Sequence, residues 1–106
     1  MRVLKFIVDG QMIKQDPNCD FSGLVPGSDG YLQAEFTLSP EWSGRSIVAA
    51  FYSPLGAEYE PQVVDCGRCD IPKEALARRT FKIKLFGKSK DGTIKTNRVA
   101  VHQNGG

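Results

Sequence analysis

Tyr31-Leu32-Gln33-Ala34-Glu35-Phe36-Thr37-Leu38 is the stretch that decides the fold. Leu32, Ala34, Phe36 and Leu38 alternate with Tyr31, Gln33, Glu35 and Thr37. A period of two puts one face of a strand in a core and the other in water. Downstream, Ser39-Pro40-Glu41-Trp42-Ser43-Gly44 turns the chain, and Ile47-Val48-Ala49-Ala50-Phe51-Tyr52 is apolar on both faces, as a central strand is. Ser53-Pro54-Leu55-Gly56 turns it again. Residues 58–64 form an edge segment in which Pro61 blocks continuous pairing.

The same grammar runs to both ends. Residues 3–8 are a first strand, closed by the positive-φ dipeptide Asp9-Gly10, and Met12-Ile13-Lys14 is a short second run. The loop that follows is rich in turn formers but holds Phe21 and Leu24 as apolar plugs. The one helical stretch is Ile71-Pro72-Lys73-Glu74-Ala75-Leu76-Ala77-Arg78-Arg79, with Pro72 placed for the start of a helix. A single turn near 72–78 is too short to stand alone and must dock through Ile71 and Leu76. Phe81, Ile83 and Leu85 then alternate with Lys82, Lys84 and Phe86; Lys88-Ser89-Lys90-Asp91-Gly92 turns back; 93–102 is the last strand. Turn signals every 8–12 residues or so are the rhythm of a sandwich or barrel. The expectation is a single all-β domain over 1–102, an antiparallel sandwich of about seven strands, with a flexible tail at 103–106.

Composition sets outer bounds. The chain has 106 residues, enough for one core. No apolar run has the length of a bilayer crossing. The opening Met1-Arg2-Val3-Leu4-Lys5-Phe6-Ile7-Val8-Asp9 resembles a signal peptide only superficially, since its apolar run is short, contains Lys5 and lacks a small-residue cleavage site. Export by a signal peptide is therefore not expected. Three cysteines, an odd number, fit free thiols in a reducing compartment better than a disulfide framework. The net charge is only +2, but it is unevenly spread. Residues 1–72 hold ten acidic and five basic side chains, whereas 73–106 hold two acidic and nine basic ones. Such polarity steers association.

Three segments together resemble an immunoglobulin-like domain that recurs in bacteriophage tail, baseplate and fibre proteins. They are the strand and turn of 31–44, the helical corner Ile71-Pro72-Lys73-Glu74-Ala75-Leu76, and the late hairpin of 81–101, in which Gly87 ends one strand and Thr96-Asn97 sits in the next. The resemblance implies an immunoglobulin-like sandwich and a virion-associated or prophage structural or protein-interaction module, located in the virion or the host bacterial cytoplasm. It implies no catalytic residue. A small intracellular effector that binds and inhibits a host protein is the alternative.

Chemistry-bearing residues are few. Cys66-Gly67-Arg68-Cys69 has the spacing of half a zinc site or a redox pair, but zinc needs four ligands and only Cys19 and His102 remain to supply them. A turn carrying small apolar thiols explains the motif more simply. His102 is the only histidine and lacks a neighbouring partner in sequence. Trp42 is either an exposed binding aromatic or, as favoured, a plug at one end of the sandwich. Lys82 and Lys84 alternate outward on one strand, and Lys95 and Arg98 lie on the strand that the hairpin brings beside it. That stripe, with Lys88 and Lys90 at the turn, suits an acidic protein surface, including the acidic first part of another copy. With no aromatics interleaved, nucleic acid is disfavoured. No cofactor, metal or membrane contact is expected.

Overall fold

The computed structural model describes residues 1–105 and bears out the alternation of residues 31–38. Leu32, Ala34 and Phe36 are buried, Leu38 is half-buried, and their neighbours face outward. Among the described residues, nine strands and one α-helix follow in order: β1 (Arg2–Asp9), β2 (Met12–Gln15), β3 (Leu32–Leu38), β4 (Ser46–Tyr52), β5 (Gln62–Val63), β6 (Arg68–Asp70), α1 (Lys73–Leu76), β7 (Thr80–Ser89), β8 (Gly92–Lys95) and β9 (Val99–His102). They form two sheets. Sheet A runs β2-β1-β3-β6; sheet B runs β5-β4-β7, with β8 and β9 both paired to β7. The protein is mainly β, with two sheets enclosing one core.

The core is built from the inward rows of both sheets. Leu4, Phe6 and Val8 of β1 meet Ala34 and Phe36 of β3, and Phe6 stacks on Phe36 at 5.6 Å between ring centres. Sheet B contributes Ala49 and Phe51 from β4, Phe81, Ile83 and Leu85 from β7, and Val101 from β9. The loop plugs behave as expected: Leu24 is buried, and Phe21 lies edge-on to Phe6 at 5.5 Å. α1 docks through Ala75 and Leu76, flanked by buried Ile71 and Pro72.

Four expectations are corrected. The sandwich is not wholly antiparallel, because β1 and β3 pair in parallel from Arg2↔Leu32 to Val8↔Leu38. Residues 16–31 supply the long return that a parallel pair requires. Secondly, the strand count is nine rather than about seven, partly because residues 93–102 are two strands. The chain breaks at Thr96, whose buried hydroxyl accepts a hydrogen bond from the Leu85 amide at 3.0 Å and donates to the Asn97 carbonyl at 2.7 Å. Thirdly, Thr96-Asn97 lies in this break and not within a strand. From there Asn97 crosses to sheet A, where its Oδ1 accepts from the Ile13 amide at 2.7 Å and its Nδ2 donates to the Ile13 carbonyl at 3.3 Å. This clasp joins the β2 edge to the β8–β9 edge. Fourthly, of the tail expected at 103–106, residues 103–105 are packed, and Gly106 lies outside the described residues. Gln103 is buried, its Nε2 donates to the carbonyls of Leu76 and Arg78 at 3.0 and 2.7 Å, and the Gly105 amide donates to the Leu24 carbonyl at 2.8 Å. Gln103 thus donates to carbonyls at and just beyond the end of α1, that of Leu76 also accepting from the Gly27 amide at 2.7 Å.

Candidate functional site

Strand register decides which side chains share a surface. On β7, Phe81, Ile83 and Leu85 point into the core, so Lys82, Lys84, Phe86 and Lys88 point outward. Pairing then builds rows across sheet B: Tyr52–Lys82–Ala100, Ala50–Lys84, Val48–Phe86–Lys95 and Ser46–Lys88–Thr93. Lys82, Lys84 and Lys95 of the expected stripe therefore share one face. Arg98 joins them from the break between β8 and β9, lying 3.9 Å from the centre of the Tyr52 ring. Among the described residues, no carboxylate lies within ion-pair distance of Lys82, Lys84, Lys88, Lys95 or Arg98.

Aromatic rings are interleaved with these cations, contrary to the sequence reading. The Lys84 ammonium sits 5.1 Å from the Phe86 ring centre and that of Lys95 sits 5.9 Å from it. An ammonium over a ring face is held by the ring quadrupole, and its stem covers apolar surface on the way. Phe86 was visible in the lysine alternation; its pairing with Lys95 depends on the register of the hairpin. Beside Phe86 lies a groove of about 320 Å³, lined by Ser46, Val48, Ala50, Glu58, Pro61, Phe86 and Lys88. Its floor explains why β4 is apolar on both faces. Glu58 is the carboxylate at this groove, on the β4–β5 side, while the cations project from β7, β8 and the break. Burial, then Glu58, raises the pKa of Tyr52, and Arg98 opposes the shift. The Tyr52 phenol is accordingly neutral near neutral pH.

Trp42 does not belong to this face. It is only 1 % exposed, and its Nε1 donates to the Gly10 carbonyl at 2.9 Å. Its ring presses on β7 at Gly87, where a Cβ would stand 2.8 Å from two ring carbons. A glycine is required at that close approach. Trp42 thus plugs the sandwich between the β1–β2 turn and β7, and no face is left for a ligand.

The three cysteines differ in exposure: Cys66 is exposed, Cys19 half-buried and Cys69 buried. Asp65 and Arg68 exchange both backbone hydrogen bonds around Cys66-Gly67, at 2.9 and 3.0 Å, so the motif is a two-residue hairpin. Both turn residues have positive φ, 51° and 77°. Asn-Gly is the usual occupant of such a turn, and Cys66 replaces the asparagine at an exposed tip. Cys69 points inward opposite Ala34 and is buried. Burial, reinforced by Asp70, pushes its thiol up to about 12, so it is protonated and a poor nucleophile or metal ligand near neutral pH. Cys19 packs near β1, where its Sγ accepts from the Lys5 amide at 3.4 Å, whereas His102 Nδ1 lies 3.0 Å from Thr80 Oγ1 on sheet B. Among the described residues, no three His, Cys, Asp or Glu side chains cluster in a way that could hold a metal ion.

A wider hollow of about 500 Å³ lies at the end of sheet B, between the loop bearing Leu55 and the arginines Arg78 and Arg79. Both arginines are exposed. Compared with known proteins, the chain matches no family model, no curated protein and no solved structure.

Proposed function

We propose that the protein is a non-catalytic interaction module that docks an acidic protein partner on the outer face of sheet B. One observation carries the reading: Lys82, Lys84, Lys88, Lys95 and Arg98 share a face that supplies them with rings and no carboxylate within ion-pair distance, among the described residues. Like charges gathered on one side repel one another, and an acidic surface relieves that repulsion while steering the approach. The groove beside Phe86 offers apolar contact at the centre of the same surface.

Retention on a poly-glutamate resin tests this. The protein binds at low salt and elutes as salt rises, because exposed pairs are screened. The Lys82→Glu/Lys84→Glu variant flows through, whereas Lys5→Glu/Lys14→Glu, an equal change of net charge on the outer face of sheet A, is retained. Equal loss in both variants would mean that total charge, and not this face, governs binding.

The immunoglobulin-like type and the phage setting rest on the sequence resemblance of 31–44, 71–76 and 81–101, and with them the virion-associated version of this role. Stoichiometric recovery of the chain in purified particles supports that version, and its absence from particles ends it. A small effector that blocks a host protein uses the same cationic face.

A further inference from the structure

Lys82, Lys84, Phe86 and Lys88 project from one side of a single strand, at every second residue. Alternate residues on a strand stand about 6.8 Å apart, and an extended segment lying along it presents its own alternate side chains at the same interval. We infer that the partner segment on sheet B is an extended acidic strand of pattern acidic–x–acidic–x–apolar–x–acidic, laid along β7 over its outer face. This deepens the docking role proposed above and rests on it. The two acidic positions at one end meet Lys82 and Lys84. The apolar side chain enters the groove lined by Val48, Ala50, Pro61 and Phe86, and the final acidic position meets Lys88. Lys95 flanks the apolar position from the neighbouring strand.

Two features favour protein over single-stranded nucleic acid. Stacking of bases needs uncovered ring faces, yet Lys84 and Lys95 sit over Phe86, and Arg98 lies against Tyr52. The groove is also walled by aliphatic side chains and a proline, which suit a branched aliphatic residue. Glu58 stands on the β4–β5 side of that groove, so an acidic segment is kept over β7 and β8 and away from β5.

Fluorescence anisotropy with labelled peptides tests the pattern on the intact protein at low salt. The probes are Glu-Thr-Glu-Thr-Leu-Thr-Glu and its reversed sequence, a peptide of the same composition with its three glutamates adjacent, an alternating peptide with serine for leucine, and oligothymidylate. The better of the two alternating orders is expected to bind about tenfold tighter than the blocked peptide, since each in-register pair adds a small increment. The serine peptide is expected to lose several-fold relative to the leucine one. Equal binding of alternating and blocked peptides overturns the pattern and leaves the docking face standing. Failure of every peptide to bind overturns both. Tighter binding of oligothymidylate than of any peptide replaces the protein occupant with nucleic acid.

Discussion

The outer faces of the two sheets carry similar side-chain types and treat them in opposite ways. On sheet A, Glu35 sits at the centre and accepts from Arg68 through Nε at 2.9 Å and Nη2 at 2.8 Å, with the Lys5 ammonium 4.0 Å from its other oxygen. Beside it, Gln33 donates to Asp70 at 2.9 Å. At its centre that surface answers its charges internally, although Lys14 on β2 has no ion-pair partner among the described residues. On sheet B the cations lean on Phe86 and Tyr52, and Glu58, the only carboxylate lining the groove among the described residues, is displaced to one side. A self-paired face has little electrostatic reason to acquire a partner, whereas an unpaired one gains a counter-charge by binding. The contrast, rather than the modest net charge, is what favours sheet B as the docking face proposed above.

If the two faces are opposite sides of one rigid body, removing their shared plug must loosen both. Trp42 touches the β1–β2 turn through Gly10 and β7 through Gly87. Trp42→Ala is expected to cost about 3–5 kcal/mol, the range for truncating a large buried aromatic. Hydrogen exchange should then accelerate in β1 and β7 together. Acceleration in β7 alone would show that the sheets are stabilised separately and that the two faces belong to weakly coupled layers.

The next largest effect falls on the clasp between the sheet edges. Asn97→Ala deletes both side-chain hydrogen bonds to Ile13 and leaves its amide and carbonyl without those partners. Losing such partners costs about 1–3 kcal/mol for a part-buried site. Because the clasp also holds the break that presents Arg98, this variant should weaken poly-glutamate retention although it removes no charge. Unchanged retention would separate the position of Arg98 from the clasp and confine the binding surface to β7 and β8.

Much of this was legible from alternation, and the remainder depended on which strands meet. The period of two over Leu32, Ala34, Phe36 and Leu38, and again over Phe81, Ile83 and Leu85, assigns inward and outward residues without knowledge of any partner strand. Pro72 ahead of Leu76 likewise marks the helical corner. Alternation says nothing about direction of pairing, so the parallel match of β1 with β3 was invisible. Thr96 has the β-branched shape of a strand residue, and only its bond to the Leu85 amide reveals a break. Gln103 looked like solvated tail because its partners, the carbonyls at the end of α1, lie far away in sequence. At the site, the lysines were readable, but the groove requires β4, β7 and the Pro61 segment to be assembled.

The smallest predicted effect is the most direct measure of the contrast between the faces. Arg68→Gln removes the closest partner of Glu35 and is expected to cost up to about 1 kcal/mol at low salt, since the pair is exposed. The loss should shrink at high salt as the attraction is screened. Lys84→Gln gives up a cation–ring contact with Phe86 but relieves repulsion from Lys82, Lys95 and Arg98. These terms oppose each other, so its stability should stay within about 0.5 kcal/mol of the parent, the usual range for surface changes. Urea unfolding of both variants at low and high salt reads the two effects side by side. A cost for Lys84→Gln equal to that for Arg68→Gln would mean that sheet B uses its lysines to hold its own fold. Near-neutrality, joined to weaker retention on poly-glutamate, means instead that Lys84 is free to serve a partner.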